Sequence, residues 1–565
     1  MDKRFLLALA LTAVVIIATP WAFGTRGITR APDARVDSAR SSTPTVLVGN
    51  DSLATAVVEV DTPSVATNPS PASGEDTTRR VIAADTAVVS TPLAEYRLTN
   101  VGARILSVKL NSFRALNGTS QLVTLHSSNN QLLSYRLFLP ADTVDLSSVR
   151  FDIQRTAASN GQGETVTFRS QVRGVALTIQ YAFVPDSYLV RVSGGVQVPA
   201  QGTAYLAIGM PVNLQSAEAD SLDDQQHLAY ALKPQRESAK GIPFSKLDPG
   251  EQRLEQGPIT WVAAKNKYFI VGLLTPEQAT PFAEVLVTGG PRTGRRATHA
   301  SATVVRPLQN GTFSFEVYTG PQEWRRLLAL GRDFENSNPY GGFLQGVVQP
   351  FATIVMRILL WMRATLSLSY GWVLVIFGVT IRLLLWPLNQ KAMRTSMKMS
   401  RLQPELSEIQ KRYKSDPQRL QAEMMRIYKD HGMSPFSSLS GCLPMLLPMP
   451  ILFALFFVFQ NTIEFRGVPF LWLSDISLKD PTYIVPIVMG LSMFVLSLIG
   501  MRNSPPNPQA KMMAYVLPVM MTVFFLNLAS GLNLYYAIQN ITAIPQQWLI
   551  ANERAKTTGN RVARA

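Results

Sequence analysis

The sequence predicts a membrane protein that combines six transmembrane helices, five of which form a core, with a large extracytoplasmic all-β sandwich domain. Three observations lead to this fold class. The 565-residue chain is 47% hydrophobic but only 16% charged, whereas soluble domains carry about 25% charged residues. Long uncharged runs lie at the N-terminus and in the C-terminal part of the chain. Between them, short runs alternate apolar and polar residues, as half-buried strands do.

A retained membrane anchor is predicted at residues 1–23. After Lys3 and Arg4, residues 5–23 carry no charge, and about 20 apolar residues are needed to cross a bilayer. A cleaved signal peptide is the alternative, but no A-x-A cleavage pattern follows the run. Residues 24–92 are rich in Ser, Thr, Pro and Ala without any period. Because such a composition cannot bury a core, a disordered linker is predicted there.

Residues 93–333 are predicted to form the β sandwich. Strands are predicted where the character alternates, at 104–110, 165–170, 175–184, 188–193 and 313–318. Glycine, proline and aspartate clusters between these runs supply the turns. No helical segment regularly separates the runs, which favours one all-β domain over a series of α/β units.

Residues 334–368 are predicted to form an amphipathic helix that lies in the membrane interface. Arg357 and Arg363 interrupt this segment, which makes it a poor membrane span but a suitable interfacial helix. Its predicted apolar stripe steps by three or four residues. The stripe consists of Leu344, Val347, Phe351, Val355, Ile358 and Met362.

Five transmembrane helices are predicted within residues 369–550. Four stretches contain at most one charge and are long enough to span, namely 370–387, 442–461, 483–501 and 512–529. The fifth, 532–550, is uncharged but rich in amide side chains. A helix with so many amides should turn part of its surface towards protein or water.

The distribution of basic residues orients these helices. The segment 391–432 and the tail 551–565 both carry an excess of Lys and Arg and are therefore predicted to be cytoplasmic. The weakly acidic loop 463–481 then lies outside. With a cytoplasmic N-terminus, this topology requires that the helix within 334–368 does not cross the membrane. The β domain is placed on the same outer side.

The sequence shows no carrier of enzymatic chemistry. It contains no Walker P-loop, G-x-G-x-x-G, H-E-x-x-H or G-x-S-x-G motif. The single cysteine, Cys442, excludes an intrachain disulfide, and the four histidines are too scattered to show metal-ligand spacing. Neither enzyme activity nor a cofactor or metal is expected. The net charge of +15 lies beside membrane spans without interleaved aromatic residues, so anionic lipids, and no specific nucleic acid, are the expected partners.

Arg382 is the one charge within the predicted span 370–387. A guanidinium within a span is costly and normally faces a bundle interior or a water-filled cavity. The alternative is an anchor that snorkels to the cytoplasmic interface, since Pro387 is only about 8 Å further along the helix. The other predicted core spans contain no aspartate or glutamate. An inward-facing Arg382 would therefore attract an acidic group from outside the protein.

A basic helical hairpin is predicted at 391–432. Asp416 followed by Pro417 has the pattern of an N-cap and a first helical position, which splits the segment into two helices. The hairpin could bind lipid headgroups or a ribosome, or could simply be a solvated charged face. Its candidate contact residues are basic: Lys391, Arg394, Lys398, Arg401, Lys411, Arg412 and Arg419.

Several motifs of the membrane region resemble the YidC family of bacterial membrane protein insertases. They cover about residues 340–550 in order and spacing, and the anchor, linker and β domain ahead of them resemble the Gram-negative form. The β domain matches in layout more than in motif. The motifs are RLLLWPL at 382–388, the run 397–404 before the hairpin, GCLP at 441–444, MP at 449–450, the run 480–490, and SGLNLYY at 530–536.

The resemblance implies an insertase and chaperone of the bacterial inner membrane, with a five-helix core around a hydrophilic groove that is closed towards the periplasm. It implies that Arg382 attracts acidic residues in the translocated segment of a client, and that Tyr536 faces the same groove. The implied partners are nascent membrane proteins, the ribosome and the Sec translocon. The β domain is similar to sugar-epimerase sandwiches, although a scaffold or docking role is expected for it.

Thr380, Gln539 and Asn540 are further candidates for the groove lining. The sequence departs from the family pattern one turn before the arginine. Relatives have a hydroxyl side chain at this position, whereas this chain has Gly378, and Thr380 lies two residues nearer to Arg382. Two rival functions remain at this point. One is a polytopic transporter or channel in which Arg382 binds a small anion, and the other is a membrane-anchored β binding domain with passive helices.

Overall fold

The computed structural model describes residues 84–119, 121–129, 131–140, 142–157, 163–197, 203–294, 296–338, 345–414, 416–430, 449–501 and 508–562. The predicted anchor at 1–23, the predicted linker as far as residue 83, and residues 442–448 of the second predicted core span lie outside this part of the chain.

The first part of the described chain, as far as Pro321, is almost entirely β structure. The strands are short and alternate buried with exposed residues, as the sequence pattern predicts. They are β1 Thr86–Ser90, β2 Ala94–Thr99, β3 Arg104–Arg114, β4 Leu122–Leu125, β5 Ser134–Phe138, β6 Thr143–Asp145, β7 Asp152–Ala157, β8 Glu164–Val172, β9 Val175–Phe183, β10 Leu189–Val196, β11 Tyr205–Gly209, β12 Ala229–Pro234, β13 Lys240–Pro243, β14 Gln252–Lys265, β15 Phe269–Leu274, β16 Phe282–Gly289, β17 Arg292–Thr293, β18 Arg296–Ala297, β19 Ala300–Pro307 and β20 Thr312–Pro321.

These strands form two main sheets. One has four strands in the order β1-β2-β3-β4, and the other has fourteen, with a main path β6-β5-β11-β19-β16-β14-β15-β20-β10-β9-β8-β7. Strand β12 branches from β14 and carries β13, and β17 pairs with β18 separately. The described strand pairs are antiparallel. This arrangement allows each sheet to bury one face and expose the other.

A single buried apolar core joins the two sheets, with Trp261 and Tyr181 among its largest side chains. Strand β10 shows how the sequence builds it. Val190 and Val192 are buried while Arg191 between them is exposed, and Val190 lies opposite Phe183 of β9 and Val317 of β20. The predicted β sandwich is confirmed.

The β domain begins earlier than predicted. Strand β1 lies within the segment that composition assigns to the linker, and it pairs with β2 along its whole length. Ala87 and Val89 are buried in the core. The strand is five residues long and consists of Thr, Ala, Val and Ser, which are also common in the predicted linker, so composition alone does not separate it from the linker.

The rest of the described chain is mainly helical, and the β domain itself carries two short α-helices. The described α-helices are α1 Ser221–Gln226, α2 Trp324–Ala329, α3 Gln345–Leu366, α4 Tyr370–Leu384, α5 Trp386–Arg412, α6 Pro417–Asp430, α7 Met449–Asn461, α8 Ile484–Met501, α9 Pro508–Phe525 and α10 Ser530–Val562. Short 3₁₀ helices are Leu146–Ser148, Phe244–Lys246, Phe334–Ser337 and Ile463–Phe465.

Helix α3 lies within the predicted segment 334–368, and its buried face shares Val355 and Met362 with the predicted stripe but departs from it at Phe351. Phe351, a member of that stripe, is 40% exposed. The face that packs towards α7 is Val348, Ala352, Val355, Met356, Leu359, Leu360 and Met362. Phe351, Ile354 and Trp361 form a second, outward apolar face. With apolar residues on two faces, periodicity cannot decide which one is buried.

Between α3 and α4 the chain bends by 117°. Of the described helices, α8 is both long and apolar enough to cross a membrane by itself, whereas α3 and α4 meet that criterion only as a bent pair. Helices α7 and α9 are apolar but shorter.

The basic segment forms the predicted pair of helices, α5 and α6. Leu402 and Leu406 of α5 pack against Tyr428 of α6. Asp416 caps α6 as predicted, because its Oδ1 accepts a hydrogen bond from the Arg419 N–H at 3.1 Å, and Pro417 is the first helical residue. Helix α5 starts at Trp386 rather than at residue 391, and α10 continues to Val562, so most of the predicted tail 551–565 is helical.

Helices α4, α7, α8, α9 and α10 pack together through apolar contacts, with α10 against both α8 and α4. Helices α8 and α9 approach so closely that a Cβ on Gly490 would lie 1.9 Å from Thr522 Oγ1. Their outward faces are also apolar, as shown by Leu491 at 59% and Val519 at 63% exposure. Large exposed apolar surfaces of this kind are rare in soluble monomers and indicate contact with lipid.

One buried ion pair joins the β domain to the helical region. Arg466, in the connection between α7 and α8, donates from Nε to both carboxylate oxygens of Glu218 at 2.9 and 2.8 Å, and from Nη2 to the Arg114 carbonyl at 2.9 Å. Both charged side chains are only 6% exposed. The guanidinium also lies 5.5 Å from the Phe269 ring centre. The loop between α7 and α8 is therefore fixed to the β domain.

Candidate functional site

Arg382 lies in the last turn of α4 and is turned towards α10. Its Nη2 donates a hydrogen bond to Gln546 Oε1 at 3.1 Å, while its buried Nε has no partner among the described residues. Within the same residues, no carboxylate lies within ion-pair distance of this guanidinium. This orientation favours the inward-facing interpretation of Arg382 over the snorkelling anchor.

Both the oxygen and the nitrogen of the Gln546 amide form hydrogen bonds here. Its oxygen accepts from Arg382, and its Nε2 donates to the Trp386 carbonyl at 3.0 Å. The side chain is 1% exposed. Because Trp386 begins α5, Gln546 holds α10 against the junction of α4 and α5. Buried amides need such partners to offset their desolvation.

A second amide contact lies further from the α5 junction, between the same two helices. Gln539 Nε2 donates to the Gly378 carbonyl at 2.7 Å. A Cβ on Gly378 would lie 3.1 Å from Ile538 Cγ2, closer than side chains normally pack, so glycine permits this approach. Gln539 and Gln546 are seven residues apart, about two helical turns, and therefore share one face of α10. This face, directed at α4, is the centre of the candidate site.

The other predicted groove residues, Tyr536, Asn540 and Thr380, do not lie on this face. Tyr536 packs edge-on against Phe525 with ring centres 5.1 Å apart, and Asn540 Nδ2 donates to the Met489 carbonyl at 3.4 Å. Both therefore face α8 and α9 rather than α4. Thr380 is exposed and lies on the opposite side of α4 from Arg382, because two residues correspond to about 200° of helical rotation. Thr380 therefore does not supply, next to Arg382, the hydroxyl that is missing at Gly378.

The predicted basic surface lies on α5 and α6. Lys411, Arg412 and Arg419 are exposed. Arg419 lies 3.7 Å from Asp416 at 77% exposure, and an ion pair of this kind adds little stability. The remaining predicted hairpin residues have a helical backbone, but their side chains lie outside the described part of the chain. They are Lys391, Arg394, Lys398 and Arg401.

Sequence reasoning missed Gln546 as the partner of Arg382. The available signal was its spacing from Gln539, since two amides seven residues apart in an otherwise apolar segment lie on the same helix face. What the spacing could not supply was the identity of the helix that this face contacts. Among the described residues, no cluster of three or more His, Cys, Asp or Glu side chains could hold a metal ion.

Apolar outer faces, a half-buried arginine held by an amide between two helices, and an attached β sandwich define a membrane protein with a large extramembranous domain. Comparison with known sequences gives a narrower class. The family described as 60Kd inner membrane protein matches residues 361–557, and the YidC periplasmic domain matches residues 86–354. The chain belongs to the YidC family of membrane protein insertases.

Individual relatives cover most of the chain. The membrane protein insertase YidC of Chlorobaculum tepidum is 30% identical over 82% of this chain and 81% of its own length. That of Prosthecochloris aestuarii is 33% identical over 74% and 73%. A solved structure of an active YidC insertase aligns over 82% of this chain and 92% of its own, at 17% identity and a TM-score of 0.32.

Proposed function

We propose that this chain inserts membrane proteins by guiding short hydrophilic segments of a client past Arg382 and releasing the client's apolar helices into the bilayer. One observation carries the proposal. Arg382 is held between α4 and α10 by an amide, Gln546, instead of by a carboxylate among the described residues. A guanidinium in this setting is available to an acidic group that the client brings.

The proposed arrangement in the inner membrane has six spans. They are the N-terminal segment and the five core helices α4, α7, α8, α9 and α10, with both termini in the cytoplasm and the β domain in the periplasm. Helix α3 lies in the outer interface. The 117° bend between α3 and α4 and the exposed Phe351, Ile354 and Trp361 on α3 support this placement, because an interfacial helix needs an apolar face and a sharp turn into the span.

The proposed energetics need no nucleotide. At a separation of about 4 Å, opposite charges attract by about 1 kcal/mol in water but by about 4 kcal/mol at an effective dielectric constant of about 20. Arg382 would thereby offset part of the desolvation of a client carboxylate. Burial of the client's apolar helix in lipid, at about 0.8 kcal/mol per CH₂ group, would drive its release.

The α5–α6 hairpin is the proposed cytoplasmic receiving surface. Its exposed basic residues, including Lys411 and Arg412, suit the phosphates of ribosomal RNA and of anionic lipids. Nascent membrane proteins are the proposed clients, and the Sec translocon is the proposed partner for larger ones. The β domain, which the buried Arg466–Glu218 pair fixes to the outer loop, is proposed to act as a scaffold or docking element.

The test is insertion by the purified full chain in sealed vesicles without nucleotide. The client is a small two-helix protein whose translocated loop carries acidic residues, and the readout is protection of that loop from added protease. Wild-type protein should give protection, and Arg382→Ala should reduce it. Arg173→Ala is a matched control, because it also removes one arginine, from a position in the β domain that is 65% exposed and away from the proposed groove.

Each outcome distinguishes between the candidate functions of the chain and of Arg382. Protection that is unchanged in Arg382→Ala would keep the insertase function but reduce Arg382 to an anchor. A folded protein that gives no more protection than empty vesicles would contradict the proposal. Loss of function on deleting the β domain alone would favour the rival in which that domain is the active part.

A transporter or channel for small anions is the second candidate, because the same guanidinium could bind such a ligand. It predicts anion flux across vesicles that contain the protein alone, and competition between the anion and the insertion of acidic clients. The insertase proposal predicts insertion at equal rates in chloride and in gluconate of the same ionic strength.

A further inference from the structure

A cavity of about 600 Å³, lined by both polar and apolar side chains, lies where the β domain, the end of α3 and the start of α4 meet. Its volume is within the range of about 300–1,000 Å³ that is usual for small-molecule sites. The charged and polar residues that line it come from four separate segments of the chain. They are Glu323, Arg325, Arg363, Ser367, Tyr370 and Glu464.

The two arginines of this cavity make few contacts with the protein. Arg325, on α2, donates from Nη2 to the Leu360 carbonyl at 3.1 Å. Arg363, in the last turn of α3, donates to the Leu368 carbonyl and lies 5.6 Å from the centre of the Tyr370 ring. Since a guanidinium carries five N–H donors, each arginine keeps donors for an anionic group, and phosphate is the group that arginine forks match best.

The carboxylates of the cavity are not neutralised by these arginines. Glu464 accepts the Trp324 N–H at 3.1 Å through Oε1, while its buried Oε2 has no partner among the described residues. Glu323 pairs with Arg326 outside the cavity lining. A purely anionic ligand would therefore meet two carboxylates beside the arginines. A ligand with a phosphate and an ammonium group would satisfy both kinds of charge.

The surface next to the cavity is apolar. Leu366 and Leu368, on either side of the lining residue Ser367, are 42% and 36% exposed. A charged cavity that continues into exposed apolar side chains matches an amphiphile better than a water-soluble phosphate ester. The cavity lies at the bend between α3 and α4. In the proposed topology, the chain passes at this bend from the interfacial helix α3 into the membrane span α4.

We propose that this cavity binds the headgroup of an outer-leaflet phospholipid of the phosphoethanolamine type, with Arg325 and Arg363 at the phosphate and Glu464 and Glu323 at the ammonium group. The acyl chains would run along Leu366 and Leu368. This inference rests on the proposed position of α3 in the outer interface, but it concerns a site separate from Arg382. The bound lipid would fix the bend between α3 and α4 relative to the β domain.

The test is a titration of the purified full chain in detergent micelles with dihexanoylphosphatidylethanolamine at pH 8, above the pKa of about 7 of Glu464, followed by calorimetry and by native mass spectrometry. Saturable binding of one lipid is expected. Dihexanoylphosphatidylglycerol, which has the phosphate but no ammonium group, should bind at least tenfold more weakly. Free phosphoethanolamine, which has the headgroup without chains, should also bind at least tenfold more weakly.

Variants connect the binding to the cavity. Arg363→Gln and Arg325→Gln should each weaken binding at least tenfold, and Glu464→Gln should remove the preference over phosphatidylglycerol. Lys479→Gln is the matched control, because Lys479 is exposed on the loop 463–481 and does not line the cavity. Circular dichroism and the unfolding temperature establish that each variant folds.

Three results would overturn the inference: no saturable binding, equal affinity for phosphatidylglycerol, or equal weakening by Lys479→Gln. Free phosphoethanolamine that binds as tightly as the lipid would reassign the cavity to a soluble ligand. Insertion assays on the same preparations separate this result from the proposed function, since Arg382→Ala should impair insertion while leaving lipid binding unchanged.

Discussion

Arg382 Nη2 lies 3.1 Å from Gln546 Oε1, so the charge of α4 is paired with a neutral amide of α10. A neutral partner satisfies one donor of the guanidinium without cancelling its charge. A carboxylate at the same place would form an internal ion pair and remove the attraction for acidic clients. The identity of residue 546 therefore sets how available Arg382 is.

Gln546→Glu should lower the insertion of a client with an acidic loop by about tenfold, equivalent to about 1.4 kcal/mol, because the new carboxylate competes with the client for Arg382. Gln546→Met is the matched control, since both variants lose the hydrogen bond to the Trp386 carbonyl. The measurement is protease protection with two clients that differ only in the acids of the loop. Equal loss with both clients would show that Gln546→Glu disturbs the helices instead.

Gly378→Leu should destabilise the helical region by about 1–3 kcal/mol, as overpacking of a tight contact does. The added side chain meets Ile538 and separates α4 from α10, which also stretches the hydrogen bond from Gln539 to the Gly378 carbonyl. Gly346→Leu is the control, because a Cβ there meets nothing within 4 Å. Thermal unfolding in detergent compares the two. Equal unfolding temperatures would contradict the close approach at Gly378.

The β sandwich and the hairpin were predictable because their signals are local. Alternation along β10 and the Asp416–Pro417 pair each depend on a few neighbouring residues. The partner of Arg382 was not predictable in this way, because α4 and α10 are about 160 residues apart in the chain and periodicity describes one helix at a time. The same limit explains the error at Phe351, where two apolar faces compete and tertiary packing selects the other.

Arg466→Gln should loosen the connection between the β domain and the loop 463–481. It leaves Glu218 buried without its ion-pair partner, and breaking a buried pair in this way costs on the order of 3 kcal/mol. Hydrogen exchange should become faster in this loop while the middle of α8 keeps its protection. Arg173→Gln removes a partner from an ion pair in which Arg173 is 65% exposed, and it should change stability by less than about 1 kcal/mol. Similar effects of the two variants would contradict the role of Arg466 in fixing this loop to the β domain.

Glu464 should make stability depend on pH. Burial raises the pKa of its carboxyl from 4.5 to about 7, against the lowering effect of the Trp324 N–H and of Arg325, and the nearby Glu323 adds to the rise. Arg363 and Tyr370 line the same cavity. The folded chain therefore holds this proton between about pH 4.5 and 7 while the unfolded chain releases it, so stability falls as pH rises through this range and levels off above it.

Glu464→Gln cannot ionise and should lack this dependence. Relative to the variant, the free energy of unfolding of the wild-type chain should fall by on the order of 2 kcal/mol between pH 5 and pH 8. This value is below the full linkage of about 1.4 kcal/mol per pKa unit, because the side chain is partly exposed. Thermal unfolding of both proteins in lipid-free detergent at several pH values measures the difference. A difference that stays constant, or that grows in favour of the wild type as pH rises, would show that Glu464 is already ionised near pH 5 and that the cavity is wetter than its lining implies.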